Sequence, residues 1–309
     1  DLIRDGGFDA YRFSFAWPRL IPEGTGARNE LGFDFYDRLI DGMLERGIKP
    51  YATLYHWDLP SALQDRGGWM NRDIANWFAD YAAQVGQRFG DRLHALATIN
   101  EPWCVAWLSH YLGVHAPGYR DIRAAARAMH HVLLAHGSGL AALRTEGVRN
   151  LGIVLNVEKA EPGGDSVADI EAAAMGDAIF NDWYLGGVLK GAYPDTLTRR
   201  LEPWLPADHE SDMATISAGL DWLGINYYTR GLYVADSANE MFVIGRAEGA
   251  LEKNDLGWEI YPQGLADMLV RVSRDYTDLP LYVTENGMSE DDDARRVAYY
   301  DAHLDAVRK

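Results

Sequence analysis

The sequence predicts an α/β fold in which parallel strands alternate with helices as in a (β/α)8 TIM barrel. About six of the eight βα units lie within the 309 residues. Short apolar runs recur, each ahead of an amphipathic stretch, and polar residues stand where several of these runs end. No Ser/Pro-rich linker or low-complexity tract interrupts this order, which predicts one incomplete barrel domain over residues 1–309.

Six apolar runs are predicted as strands because each is short and bounded by turn-forming or polar residues. They are residues 10–15, 50–55, 93–99, 151–156, 222–227 and 281–284. The amphipathic stretches predicted as helices are residues 33–46, 74–89, 122–145, 166–185, 263–276 and 294–309. Three long loops, residues 16–32, 56–72 and 231–257, follow strands, where a β/α barrel builds its active site.

The alternative to a barrel is a doubly wound open sheet. That fold would favour a G-x-G-x-x-G turn after an early strand, and the sequence contains none. A barrel instead predicts polar chemistry at the carboxyl ends of several strands. The residues in such positions are Arg12 in the first run, His56 and Trp57 after the second, Asn100 and Glu101 after the third, Asn226 and Tyr228 at the fifth, and Glu285 at the sixth. This convergence favours the barrel.

Two glutamates stand out among these residues. Glu101 ends the run before Pro102, and Glu285 ends the run before Asn286-Gly287. A carboxylate at the mouth of a strand is costly to bury without a partner, which argues against a place in a dry core. Two such glutamates on separate strands of one barrel suggest a facing pair. Such a pair can cleave a glycosidic bond, with one carboxyl acting as the acid and the other as the nucleophile.

Composition narrows the classes of partner. The formal charge of −17 argues against nucleic acid and anionic membrane. Ten Trp and 17 Tyr are many for this length. Core packing explains most of them, and the remainder fits a site that stacks on the flat apolar faces of sugar rings. No apolar run approaches the length of a membrane span, and no signal-peptide pattern opens the chain. A cytoplasmic location is therefore expected, although the chain begins at Asp1 and a preceding segment is expected as well.

No metal site or cofactor is predicted. Cys104 is the only cysteine, so an intrachain disulfide is excluded. His130, His131 and His136 lie on one predicted helix without the i, i+4 spacing of a ligand pair. The acidic run at residues 290–293 lacks the spacing of a calcium loop and is predicted to be a solvated turn. Hydrolysis by two carboxylates requires no cofactor.

The motifs resemble those of glycoside hydrolase family 1, the β-glucosidase family among retaining barrel hydrolases. The resemblance extends over essentially the whole chain, with the motifs in the expected order. The matching strings are Tyr11-Arg12-Phe13-Ser14 with Trp17, and those at residues 54–60, 98–102, 224–229, 257–262 and 284–287.

The resemblance implies a retaining β-glycosidase in which Glu101 is the general acid/base and Glu285 is the nucleophile. It implies that Arg12 and Tyr228 support the nucleophile, Arg12 by pairing with it. Its implied substrate-binding residues are His56, Trp57, Asn100 and Asn226. The implied substrate is a small-molecule β-glycoside or a short β-linked oligosaccharide.

The chain departs from the family pattern at both ends. By comparison it begins just before the second barrel strand and stops after the seventh helix. Sugar-binding residues that the family carries on its first and eighth strands therefore have no counterpart. A longer parent polypeptide is expected, and the alternatives are the ordered part of a protein with mobile ends, a naturally shortened paralogue and a barrel completed by a partner chain. The alternatives of a 6-phospho-β-glycosidase and of an inactive sugar-binding fragment or pseudoenzyme stay open, as do sugar preference and oligomeric state.

Overall fold

The computed structural model describes residues 1–308, which pack as two compact units. The first unit comprises residues 1–155 and 204–224. The second comprises residues 156–203 and those from 225 to the end of the described chain. The single domain over residues 1–309 stays a prediction.

Seven strands lie in the described chain, and six of them correspond to the six predicted runs. They are β1 (Ala10–Ser14), β2 (Lys49–Tyr55), β3 (Ala95–Asn100), β4 (Leu151–Pro162), β5 (Trp222–Ala235), β6 (Ile244–Arg246) and β7 (Leu281–Glu285).

The helices alternate with these strands. The α-helices are α1 (Leu2–Asp5), α2 (Trp17–Leu20), α3 (Glu30–Leu44), α4 (Ser61–Gln64), α5 (Ile74–Phe89), α6 (Ile122–Thr145), α7 (Val167–Asp177), α8 (Trp183–Lys190), α9 (Asp195–Leu201), α10 (His209–Ile216), α11 (Pro262–Asp275) and α12 (Asp293–Arg308). Two π-helices, Cys104–Tyr111 and Ala178–Asp182, and two 3₁₀ turns, Gly68–Met70 and Glu202–Trp204, complete the set. Within residues 1–308, no helix combines the length and apolarity that crossing a membrane requires.

The first unit contains a parallel sheet in which β1 pairs with β2, β2 with β3, and β3 with the start of β4. The carboxyl ends of these strands therefore meet at one edge. Strand β3 is buried along its whole length, as its continuous apolar run predicts. Helices α5 and α6 bury apolar faces in the same unit, and the Asp121 side chain caps the start of α6 by accepting from the Arg123 N–H.

The second unit contains the later parts of β4 and β5, which continue beyond their predicted ends. Strand β6 pairs antiparallel with the end of β5, and β7 also pairs with β5. The predicted loop 231–257 thus begins as a hairpin. Tyr233 is buried against Ala172 and Ala173 of α7, and this packing favours the extended backbone over a loop.

The predicted helix at residues 166–185 is divided into α7, a π-helical turn and α8. Asn181 is buried in that turn and exchanges two hydrogen bonds with the backbone of Glu158, at 3.2 Å and 2.9 Å. The same amide donates to Asp177 Oδ1 at 2.6 Å, so it links the wider turn both to β4 and to the end of α7. Hydrophobic periodicity does not report such a contact.

Candidate active site

Arg12 and Asn100 lie together at the carboxyl edge of the first unit's sheet. Arg12 Nη2 donates to Asn100 Oδ1 at 2.6 Å and to Thr53 Oγ1 at 3.2 Å. Asn100 is fully buried at the end of β3. Three neighbouring strands thus contribute one polar group each, as the parallel topology predicts. The guanidinium places a fixed positive charge beside the residue that precedes Glu101.

His56 follows β2 and bonds through both ring nitrogens. Its Nε2 lies 3.3 Å from Asn100 Nδ2 and its Nδ1 lies 3.3 Å from Ser14 Oγ. The Asn100 amide nitrogen can only donate, so Nε2 accepts and Nδ1 carries the proton donated to Ser14. These bonds orient a neutral imidazole at the sheet edge.

Trp57 combines a constrained backbone with a partly exposed ring. Its backbone adopts φ +87°, an uncommon conformation that clusters at functional sites when surrounding bonds hold it. The indole Nε1 donates to the Asn100 carbonyl at 3.0 Å, and the His115 ring lies 5.2 Å away. The residue is nevertheless 37% exposed. A fixed, open aromatic face suits the apolar face of a sugar.

Glu101 joins β3 to a π-helix. Its backbone has φ +49°, its N–H donates to the Val154 carbonyl at 2.9 Å, and its side chain belongs to a residue only 5% exposed. The Cys104 thiol donates to Glu101 Oε2 at 3.2 Å. The carboxyl is therefore held in a nearly dry position at the strand end.

The second unit holds Glu285 at the end of β7. The Tyr228 hydroxyl donates to Glu285 Oε2 at 2.5 Å. The preceding residue, Thr284, donates through Oγ1 to Asn226 Oδ1 at 2.7 Å, and Asn226 is fully buried. Two side chains of β5 therefore fix β7 and its carboxylate.

The turn after Glu285 is anchored as well. Asn286 Nδ2 donates to the Tyr227 carbonyl at 2.8 Å and to the Tyr299 hydroxyl at 2.9 Å. Burial raises the pKa of Tyr299 to about 12, so this phenol stays neutral. Trp258 is exposed, and its ring lies 5.7 Å from that of Tyr228. An aromatic surface thus adjoins the phenol that contacts Glu285.

The helix histidines have structural partners. His130 Nε2 lies 2.9 Å from Asp212 Oδ2, and Arg72 contacts both oxygens of the same carboxylate. Burial opposes ionisation of Asp212, but the hydrogen bonds from Arg72 and His130 outweigh it and the pKa of the carboxyl is lowered. Within residues 1–308, no group of three or more His, Cys, Asp or Glu side chains is arranged to hold a metal ion.

Each unit therefore collects part of the predicted site. The first contains Arg12, His56, Trp57, Asn100 and Glu101, and the second contains Asn226, Tyr228 and Glu285. The pairing of Arg12 with the nucleophile stays a prediction, as do the roles of all eight residues.

The sequence interpretation missed several residues that contact this set. They are Ser14, Thr53, Cys104, His115, Trp258 and Thr284. A signal existed for four of them: Ser14, Trp258 and Thr284 lie in the motif strings given above, and Cys104 stands three residues after Glu101.

Comparison with known proteins identifies the family. The sequence model of Glycosyl hydrolase family 1 matches residues 1–309. The chain is 46% identical over 321 residues to a β-glucosidase of Agrobacterium sp., covering 99% of this chain and 70% of that protein. The family 1 β-glucosidase of Thermotoga maritima superposes with a TM-score of 0.94 at 40% identity, covering 99% of this chain and 72% of that one. The same enzyme in complex with glucoimidazole superposes with a TM-score of 0.93 at 40% identity, with the same coverage.

The family model covers the whole chain, and the fold of the Thermotoga maritima enzyme matches that described above. The chain therefore belongs to glycosyl hydrolase family 1 and is a glycoside hydrolase of the (β/α)8-barrel class.

Proposed function

We propose that this chain is a retaining β-glucosidase that releases terminal non-reducing β-D-glucosyl residues by double displacement. Glu285 attacks the anomeric carbon while Glu101 protonates the departing glycosidic oxygen. A water molecule then attacks the glucosyl ester, with Glu101 acting as the base that removes its proton. Both carboxylates end the cycle in their starting states.

The surroundings of Glu285 support the role of nucleophile. The short hydrogen bond from the Tyr228 hydroxyl stabilises the ionised carboxylate, which is the form that attacks. The Thr284–Asn226 and Asn286–Tyr227 bonds fix the backbone on either side of Glu285. A nucleophile held in this way spends little entropy in reaching the reactive geometry.

The surroundings of Glu101 support the complementary role. A carboxyl that must begin the reaction protonated is favoured where water is largely excluded, and Glu101 is nearly buried. The Cys104 thiol, a weak donor, contacts Glu101 Oε2 at 3.2 Å. Unequal surroundings of two carboxyls are what separates an acid from a nucleophile in this class of reaction.

The remaining predicted residues supply a glucosyl subsite in this proposal. Trp57 offers an aromatic face, and His56 and Asn100 offer polar groups beside it. The Agrobacterium relative is named a β-glucosidase, and the Thermotoga maritima neighbour binds glucoimidazole. These names favour a glucoside as the first substrate to test.

The observation that carries the proposal is the Tyr228–Glu285 hydrogen bond at a strand end in a family 1 chain. We expect 2,4-dinitrophenyl 2-deoxy-2-fluoro-β-D-glucoside to stop hydrolysis of p-nitrophenyl β-D-glucoside by this chain. Mass spectrometry should find one fluoroglucosyl group on the peptide containing Glu285, and none on the Glu285→Gln variant. A label on Glu101 would reverse the assigned roles. A chain that neither hydrolyses the glucoside nor takes up the label is not a β-glucosidase.

A further inference from the structure

We propose that Cys104 is a positioning residue for the general acid/base, and that its thiol fixes the orientation of the Glu101 carboxyl. The proposal rests on the proposed function, since it assumes that Glu101 transfers the proton. Buried cysteines usually act as small apolar side chains. Here the thiol contacts an oxygen of the carboxyl proposed to react.

The local backbone places this thiol. Cys104 is the first residue of the π-helix that follows β3, three residues after Glu101. The Val105 N–H donates to the Glu101 carbonyl at 3.2 Å, and the Ser109 hydroxyl donates to the Cys104 carbonyl at 3.4 Å. These bonds fix the backbone on both sides of the thiol. The Sγ–Oε2 distance is 3.2 Å, and Glu101 and Cys104 are 5% and 6% exposed.

A thiol suits a carboxyl that must exist in two protonation states. An Arg or Lys donor would favour the ionised form strongly and oppose the acid step. A thiol donates weakly, so it can bond to the carboxylate or to the carbonyl oxygen of the neutral acid while favouring the ionised form far less than a cation would. Its presence at Oε2 assigns the acidic proton of Glu101 to Oε1.

The proton then follows one route through the cycle. Oε1–H of Glu101 gives its proton to the glycosidic oxygen as the C1–O bond breaks and its electron pair leaves with that oxygen. In the second step Oε1 takes a proton from the attacking water. The Cys104 S–H bond stays intact throughout, so its contribution is orientation and not proton transfer.

Three substitutions of Cys104 distinguish loss of the hydrogen bond to Glu101 from a change in side-chain packing. Cys104→Val and Cys104→Ala both remove the donor but change the volume in opposite directions, whereas Cys104→Ser keeps a donor. The kcat/KM for phenyl β-D-glucoside depends on protonation of a poor leaving group, whereas that for 2,4-dinitrophenyl β-D-glucoside depends on it little. The pair of substrates therefore isolates the acid step.

We expect Cys104→Val and Cys104→Ala to lose about tenfold in kcat/KM on the phenyl glucoside and less than about twofold on the dinitrophenyl glucoside. The loss should lie in kcat and not in KM, and Cys104→Ser should recover most of it. Equal losses on both substrates, or no loss on either, in the parent-like folded variants would overturn the positioning role while leaving the proposed function intact. A parent chain that cleaves neither glucoside overturns both.

Discussion

Strands β3 and β7 end in the two glutamates but are held in different ways. All six residues of β3 are buried, whereas no residue of β7 is fully buried and Val283 is 41% exposed. Glu101 leaves its strand in a left-handed conformation, and Glu285 is still part of its strand. The strand that carries the proposed acid is thus fixed by burial, and the strand that carries the proposed nucleophile is fixed by side-chain hydrogen bonds.

A threonine on each of β3 and β7 shows the same difference in environment. Thr98 Oγ1 lies 2.6 Å from Nδ1 of His136 on helix α6, in the interior of the first unit. Thr284 Oγ1 donates to Asn226 on the adjacent strand β5. Truncating the buried side chains of β3, such as Thr98, should therefore affect stability as well as catalysis. Removing one of the side-chain hydrogen bonds around Glu285 should affect catalysis first.

The largest expected effect is at the nucleophile. Glu285→Gly should lower kcat for p-nitrophenyl β-D-glucoside by about 10⁴-fold or more, because no covalent intermediate can form. Added azide should restore cleavage and give the α-glucosyl azide, since the small anion enters the space left by the carboxylate. Product stereochemistry by NMR measures this outcome. A β-azide from this variant would mean that Glu285 is the acid/base.

A smaller loss is expected at the acid/base. Glu101→Gly should lower kcat/KM for phenyl β-D-glucoside by about 10²–10⁴-fold, the range of general acid catalysis. The dinitrophenyl substrate should still form the glucosyl-enzyme, and azide should then release the β-azide. An equal loss on both substrates would place Glu101 outside proton transfer.

These two glycine variants should also differ in stability. A left-handed conformation is unfavourable by about 1–2 kcal/mol for a residue with a Cβ, but not for glycine. Because Glu101 adopts this conformation, Glu101→Gly should have a Tm at or above that of the parent. Glycine within a strand is unfavourable, so Glu285→Gly should have a lower Tm. Calorimetry of both variants compares them directly, and the opposite order would contradict strain at Glu101.

The phenol beside the nucleophile should give an intermediate effect. Tyr228→Phe removes one hydrogen bond to a charged oxygen, worth about 1.5–3 kcal/mol, and should lower kcat/KM by about 10–100-fold. Tm should change little, because Tyr228 is only partly buried. Tyr282→Phe removes a hydroxyl from β7, the strand that carries Glu285, and is the matched control. A loss of equal size in both variants would argue against a specific role of Tyr228.

The sequence predicts which residues lie on or just after strands better than it predicts the contacts between those residues. All eight predicted site residues stand on or immediately after strands, because strand periodicity and turn-formers are local signals. The Cys104–Glu101 contact depends on a π-helix, and the Tyr233 packing that extends β5 depends on α7. Both arise from tertiary packing, which local periodicity does not encode.

The last expected effect is on stability alone and concerns the acid sensitivity of the strand that carries Glu101. His136 is fully buried, and this burial lowers its pKa to about 3, so the folded chain keeps the imidazole neutral where the unfolded chain protonates it. Between about pH 6.5 and pH 3 the unfolded state therefore binds one more proton, and stability falls as the pH falls.

Each such histidine contributes a slope of about 1.4 kcal/mol per pH unit within that window. His136→Gln places a side-chain amide near Thr98 that cannot titrate. We therefore expect the free energy of unfolding of this variant, measured with urea at pH 6, 5 and 4, to fall less steeply than that of the parent by about that amount per pH unit. His94→Gln makes the same exchange at an exposed position and controls for residue type. If the slope of the variant equals that of the parent, burial of neutral His136 is not the cause of the loss of stability in acid.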